Sequence, residues 1–167
     1  MDIVENGLDL LIRIGNHLDS SLISHRIGTT RRVTVATTGY FEQAGEPQTP
    51  DDLVDHDCIL YTPLATGNEW HFLGTDGTIK VRVGGRFQTN SSVAIRSAVL
   101  SGLGIAVAPV WMFGDEIYRG DLKVVLQDYQ PTPLPIHAVY RRSRFYPAKI
   151  SSFIDFLAEE FKLDPWV

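Results

Sequence analysis

The chain has 167 residues, 44% hydrophobic and 21% charged, with a formal net charge of −5. That composition suits a globular protein of one sizeable domain or two small lobes and argues against disorder, and the acidic balance lacks the basic footprint of a nucleic-acid-binding surface. One cysteine, Cys58, excludes an intramolecular disulfide and fits a reducing compartment. No apolar run reaches membrane-span length, and the N-terminus lacks signal-peptide regions, so a cytoplasmic protein with no membrane partner is expected.

Residues 9–14 read as a strand in which Leu10, Leu11, Ile12 and Ile14 surround one charge, Arg13. A charge inside such a run must point at water, a partner or a ligand, because burying it unpaired is costly. Gly15 ends the strand, and a loop at 16–21 follows. Residues 22–28 and 31–37 are extended; in the second, Val33, Val35 and Thr37 alternate with Thr34 and Ala36, the pattern of a half-buried strand. Thr38 opens a short helix that Gly45 closes. Thr49 as N-cap, Pro50 at the first helical position and Asp51 and Asp52 in the first turn start a second helix, ending near His56. Residues 58–61 form a strand, and strands at 70–73 and 78–83 flank the hairpin signal Thr75-Asp76-Gly77.

The stretch from 86 to 109 is the organising one. A short strand ends at Thr89, and Asn90, Ser91 and Ser92 precede a helix that Gly102 stops. Asn90 and Ser91 either only cap that helix or also receive an anion at its N-terminus. Residues 105–108 are continuously apolar, as in a strand covered on both faces, and Pro109 ends them. A helix at 110–119, a strand at 122–126, a proline-rich loop at 130–135 and a strand at 136–140 follow. The basic run Arg141, Arg142 and Arg144 reads as a solvated strand end. The last helix starts at Pro147 and presents Ile150, Phe153, Ile154, Leu157 and Phe161 as one apolar stripe.

This order gives a mixed α/β protein in which residues 36–88 form a small lobe of their own. Residues 1–35 and 103–167 build the other lobe, and 89–102 is the helix after the second crossing. Two lobes joined by two strands leave a cleft, a usual place for a small-molecule site. Chemistry is not indicated. His17, His25, His56, His71 and His137 show no helical pairing, and Cys58 has no second cysteine, so no metal site and no cofactor are expected. The turn before Ser91 lacks the glycines of a nucleophile elbow, and Gly102-Leu103-Gly104 lacks the third glycine of a dinucleotide fingerprint.

One ordered set of segments carries a resemblance. It comprises Asp9-Leu-Leu-Ile-Arg-Ile-Gly15, Ser20-Ser-Leu-Ile-Ser-His-Arg-Ile-Gly28 and Arg32-Val-Thr-Val-Ala36. Pro50-Asp-Asp-Leu53, His56-Asp-Cys58 and Gly102-Leu-Gly-Ile-Ala-Val-Ala-Pro109 continue it, with a tail at Tyr140 to Arg144 and Ile154 to Leu157. Together they resemble the effector-binding domain of LysR-type transcriptional regulators. The resemblance implies a periplasmic-binding-protein-like fold: two Rossmann-like lobes, two crossover strands and an effector between them, the first lobe here incomplete. It implies ligand contacts from Arg13 and Gly15, from Thr37 and Thr38 at the first crossover, from Asn90 and Ser91 at the second, and from Ala108 and Pro109 on the return strand. For Asn90 and Ser91, capping and ligand contact then go together.

The expected function is that of a non-enzymatic, cytoplasmic sensor for a small-molecule effector, anionic or aromatic in character, in a homo-oligomeric regulator. DNA would be bound only through an N-terminal winged helix-turn-helix absent from this chain. The alternative is a free-standing periplasmic-type binding protein, which the missing signal peptide disfavours.

Overall fold

The computed structural model describes residues 7–15, 22–141 and 148–163. The expected loop at 16–21, the arginines at 142 and 144 and the helix start at Pro147 lie outside them. The chain opens with strands β1 (Leu11–Ile14), β2 (Leu22–Thr30) and β3 (Arg32–Thr37), then helix α1 (Thr38–Ala44). A 3-10 turn (Pro50–Asp55) leads to β4 (Ile59–Tyr61), β5 (Glu69–Gly74), β6 (Gly77–Arg82) and β7 (Phe87–Thr89). Next come α2 (Ser92–Leu100), β8 (Ala106–Pro109), a second 3-10 turn (Val110–Met112) and α3 (Gly114–Arg119). The described elements end with β9 (Leu122–Val125), β10 (Gln130–Pro131), β11 (Leu134–Arg141) and α4 (Ala148–Leu163).

These elements form two compact units. Unit 1 is residues 1–30 with 133–167, and unit 2 is residues 31–132. The sequence placed the crossings elsewhere, near 36 and 89, and returned the chain to the first lobe at 103. The reason lies in the pairing of β3, which is flanked by β8 on one side and β9 on the other, both antiparallel to it. Both flanking strands come from 103–132, so that segment stays in unit 2.

In unit 2 the sheet β8-β3-β9 is extended by the parallel pair β4-β7. The join is a parallel bridge between Cys58 and Ile105: Ile59 N–H donates to Ile105 O (2.8 Å) and Ile105 N–H donates to Asp57 O (2.9 Å). The resulting order is β7-β4-β8-β3-β9, with β3 alone running against the rest. Two glycines permit this seam. A Cβ on Gly104 would lie 2.1 Å from Asp57 O, and one on Gly85 would lie 2.0 Å from Cys58 O. One face of the sheet packs on the β10-β5-β6 sheet through Leu53, Leu60, Trp70, Phe72 and Val83, with Ile105 contributed by the seam. The other face is covered by α2 and α3 through Ile95, Ala98, Val99 and Phe113. The run 105–108 sits between the two, Ile105 and Val107 facing the first cluster, Ala106 and Ala108 the second. That is the strand covered on both faces that its sequence describes.

Several local signals take the form expected. Thr37 Oγ1 accepts from Tyr40 N–H (3.2 Å) at the start of α1, and Thr49 forms a reciprocal capping box with Asp52. The element after Thr49 is a 3-10 turn and not an α-helix. The helix expected at 110–119 is likewise split into a 3-10 turn and α3. The loop at 130–135 also differs: Gln130 and Pro131 pair with Leu73 and Phe72 at a sheet edge, where a proline lacking its N–H is tolerated.

In unit 1, β1-β11-β2 is an antiparallel sheet, and α4 covers one face. Ile27, Ile136, Ala138 and Tyr140 meet Ile150 and Ile154 of the helix, with Leu157 and Phe161 packed beside them. Phe153, expected in that stripe, is 48% exposed and lies on its flank. Among the described residues no helix is long and apolar enough to cross a membrane.

Candidate functional site

The topology of unit 2 brings the carboxyl ends of three strands to one edge. Strands β4, β7 and β8 are parallel and end together at Tyr61, Thr89 and Pro109, while the antiparallel β3 begins at the same edge, where Arg32 pairs with Pro109. Ligands of open α/β sheets bind outside the carboxyl ends of the strands. The chain enters unit 2 at Arg31 and leaves it at Thr132.

Helix α2 starts at this edge. Ser91 Oγ accepts from Ala94 N–H (3.3 Å), and Ser91 N–H donates to Thr89 Oγ1 (3.1 Å). Thr62 N–H donates to Thr89 O (3.0 Å), so the loops after β4 and β7 are tied together. Asn90 is exposed, and its side-chain amide makes no hydrogen bond among the described residues. The edge therefore offers a fixed hydroxyl, an uncommitted amide and the free N–H groups of a helix first turn, a set suited to polar or anionic groups.

Arg32 adds a charge that sequence reasoning did not single out. Its side chain leaves β3 on the face opposite α2, and Nε donates to Thr132 O (2.8 Å), with Nη2 donating to the same carbonyl. Burial pushes its guanidinium down to about 10. Thr132 N–H in turn donates to His71 O (2.9 Å), and Thr132 Oγ1 is buried with no partner among the described residues. The sequence signal was available in principle, as a second arginine opening a strand whose later residues are buried.

The residues expected at the site divide into three places. Asn90, Ser91, Ala108 and Pro109 share the edge just described. Thr37 and Thr38 sit at the far end of β3, about 20 Å of strand away; a Cβ on Gly102 would lie 3.3 Å from Thr37 Oγ1, which marks the opposite edge. They were placed at a crossover, and the crossing lies instead at Thr30–Arg31. Arg13 and Gly15 belong to unit 1, where Arg13 pairs with His137 and Gly15 N–H donates to Pro135 O (2.9 Å).

Tyr40, His56 and Asp57 form one local network. Tyr40 Oη accepts from Asp57 N–H (3.1 Å) and lies 3.2 Å from His56 Nδ1. Burial raises the Tyr40 phenol above its ordinary value. Among the described residues no group of three or more His, Cys, Asp or Glu could hold a metal ion. In unit 2 a cavity lies along β9 beside Glu46 and Lys123, and in unit 1 one lies between Leu10 and Phe153.

Comparison with known proteins gives the family. Residues 1–162 match the LysR substrate binding domain, and the chain belongs to that family. It is 36% identical over 151 residues to an uncharacterized HTH-type transcriptional regulator of Haemophilus influenzae, covering 90% of this chain and 52% of the relative. It is 34% identical over 161 residues to the HTH-type transcriptional activator AaeR of Escherichia coli K12, covering 96% and 52%. The chain thus spans about half the length of the curated relatives it matches. Among solved structures, the regulatory domain of CrgA from Neisseria meningitidis aligns with a TM-score of 0.78 at 28% identity, covering 95% of this chain and 78% of that one. Full-length AphB of Vibrio cholerae, a virulence activator of the LTTR family, aligns with a TM-score of 0.75 at 29% identity, covering 93% and 53%. The two α/β units agree with the two-lobed fold expected of such regulatory domains.

Proposed function

We propose that this chain is the effector-binding sensor of a LysR-type transcriptional regulator and that it takes a small-molecule metabolite at the carboxyl edge of unit 2. The observation that carries the reading is the Asn90–Ser91 corner. There a capped helix N-terminus and an uncommitted amide stand at the shared end of parallel strands. Asn90 and Ser91 contact the effector beside Ala108 and Pro109, the carboxyl end of β8. Binding without catalysis fits the family. The relatives named above are HTH-type regulators, which favours this reading over a free-standing transport protein. DNA is engaged through the helix-turn-helix of the parent regulator, a cytoplasmic homo-oligomer.

Thermal melts of the chain with a panel of small carboxylates, phenolics and amino acids test the proposal. One chemical class should raise Tm, and at a hundredfold its Kd the gain should be about 2.7 kcal/mol. Asn90→Ala, an exposed change, should leave the unliganded melt in place and weaken that response roughly tenfold, as loss of one good hydrogen bond does. A cooperative melt that no class moves, or a response identical in Asn90→Ala, would sink the assignment.

A further inference from the structure

Helix α4 carries two stripes. Ile150, Ile154, Leu157 and Phe161 pack on the unit 1 sheet. Beside them Lys149, Phe153, Phe156, Glu160 and Leu163 follow one another at steps of four and three residues, the spacing of a heptad seam along one flank. That flank is in water: Phe153 is 48%, Phe156 56% and Leu163 79% exposed. Phe153 and Leu10 line the same cavity of about 390 Å³, so the flank lies on the β1 side of the helix.

The sheet is open on that side too. Helix α4 lies over β2. On β1, Ile12 pairs with Ala138 and Ile14 with Ile136, and both partners belong to the cluster under α4. Directly paired residues point to the same face, so Ile12 and Ile14 face the helix layer, yet they remain 37% and 38% exposed. Exposed apolar surface of this extent marks an interaction site.

The order of charges along the seam selects what covers it. Lys149 stands at its start, two aromatic rings follow, and Glu160 stands beyond them. Lys149 Nζ donates to Asp9 Oδ2 (2.6 Å) but its side chain is still 67% exposed. Glu160 is exposed and enters no ion pair among the described residues. An antiparallel copy of this seam is complementary to it. One register sets Lys149 opposite Glu160 of the second copy and Phe153 opposite Phe156, and a twofold axis repeats both pairs. A parallel copy would instead set lysine on lysine and glutamate on glutamate, which repels.

We propose that the Lys149–Phe153–Phe156–Glu160 flank of α4 is an interface between two copies of this chain, packed antiparallel about a twofold axis. The surface belongs to unit 1 and does not rest on the effector reading of unit 2.

Sedimentation of the whole 167-residue chain across the micromolar to hundred-micromolar range tests it. The mass should rise from one chain to two. Phe156→Glu alters an exposed side chain, so the thermal melt should hold while the dimer weakens roughly tenfold. Lys149→Glu and Glu160→Lys should each weaken self-association. Mixed, the two variants should associate with each other, since one carries two acids and the other two lysines along the seam. Residues 149 and 160 of one helix stand about 16 Å apart along its axis, so this rescue can come only from contact between copies. A chain that stays monomeric throughout leaves the flank to some other segment and overturns the proposal. So does a dimer that Phe156→Glu leaves intact, or a mixture of the charge variants that associates no better than either alone.

Discussion

The thiol of Cys58 shows how far burial and backbone packing seal a reactive group. Its Sγ donates to Leu53 O at 3.6 Å, and the residue is 1% exposed. Burial, with the neighbouring Asp57 charge adding to it, pushes the thiol up to about 12. The thiolate is the reactive species, and it is scarce at neutral pH for such a group. An Ellman-type reagent should therefore find no reactive thiol in the folded chain at pH 7.5 and one per chain in denaturant. In the native state its slow reaction should follow the opening of unit 2. Prompt labelling of the native protein would show that the seam around Cys58 is open. The residue was legible in the sequence only as part of His56-Asp57-Cys58. Its setting was not, because the glycines that let β8 and residues 84–85 close on it lie 27 and 46 positions downstream.

In unit 2 one carboxylate ties α2 to α3. Glu116 on α3 accepts from Arg96 Nη2 on α2 (2.6 Å) and from Arg119 Nη2 (3.3 Å) within its own helix. Burial raises its carboxyl, but the hydrogen bond from Arg96 and the nearby positive charges outweigh that and hold it below the ordinary value. A depressed carboxyl contributes stability that is present above its unfolded pKa and lost as pH falls through the folded one. Glu116→Gln should then cost roughly 1 kcal/mol at pH 7, since it leaves the Arg96 guanidinium without its charge partner, while Arg119 keeps Asp121. The cost should shrink as pH falls below the ordinary glutamate range and through the lower folded value, where the carboxylate of the unaltered chain takes up its proton. Urea melts of both chains at pH 7 and pH 3.5 check this; an equal difference at both pH values would show that the charge plays no part. What could be read beforehand at this scale was local. The Ser91 cap, the Gly102 stop, the Thr75-Asp76 turn and the capping box at Thr49 depend on neighbours in sequence. The Arg96–Glu116 tie spans 20 residues and leaves no periodic signal, and Phe153 has the spacing of a core residue yet lies beside the stripe.

At the scale of the molecule, the sequence showed the fold class and the family but not where one unit gives way to the other. A boundary is decided by which strands pair. The apolar run at 105–108 looks the same whether it returns to the first lobe or stays beside β3. The same uncertainty placed Thr37 and Thr38 with Asn90 and Ser91, whereas β3 runs antiparallel to its neighbours and carries them to the opposite edge. The observed pairing has a direct consequence. Residues 31–132 are continuous, contain both apolar clusters that flank the five strands, and keep Arg32 bound to Thr132 at their two ends. Unit 1 is assembled from two separate segments. A chain of residues 31–132 should therefore fold alone, because cutting at 30/31 and 132/133 removes no strand from the β7-β4-β8-β3-β9 sheet. It should show one cooperative thermal transition. Phe72→Ala, at a side chain with no exposed surface, should lower its stability by about 3–5 kcal/mol. Arg32→Gln should loosen the ends and lower Tm by a smaller amount. Circular dichroism melts decide the matter. A fragment without a cooperative transition would mean that unit 2 draws its stability from unit 1, and that the strand pairings of β3 do not suffice to define a folding unit.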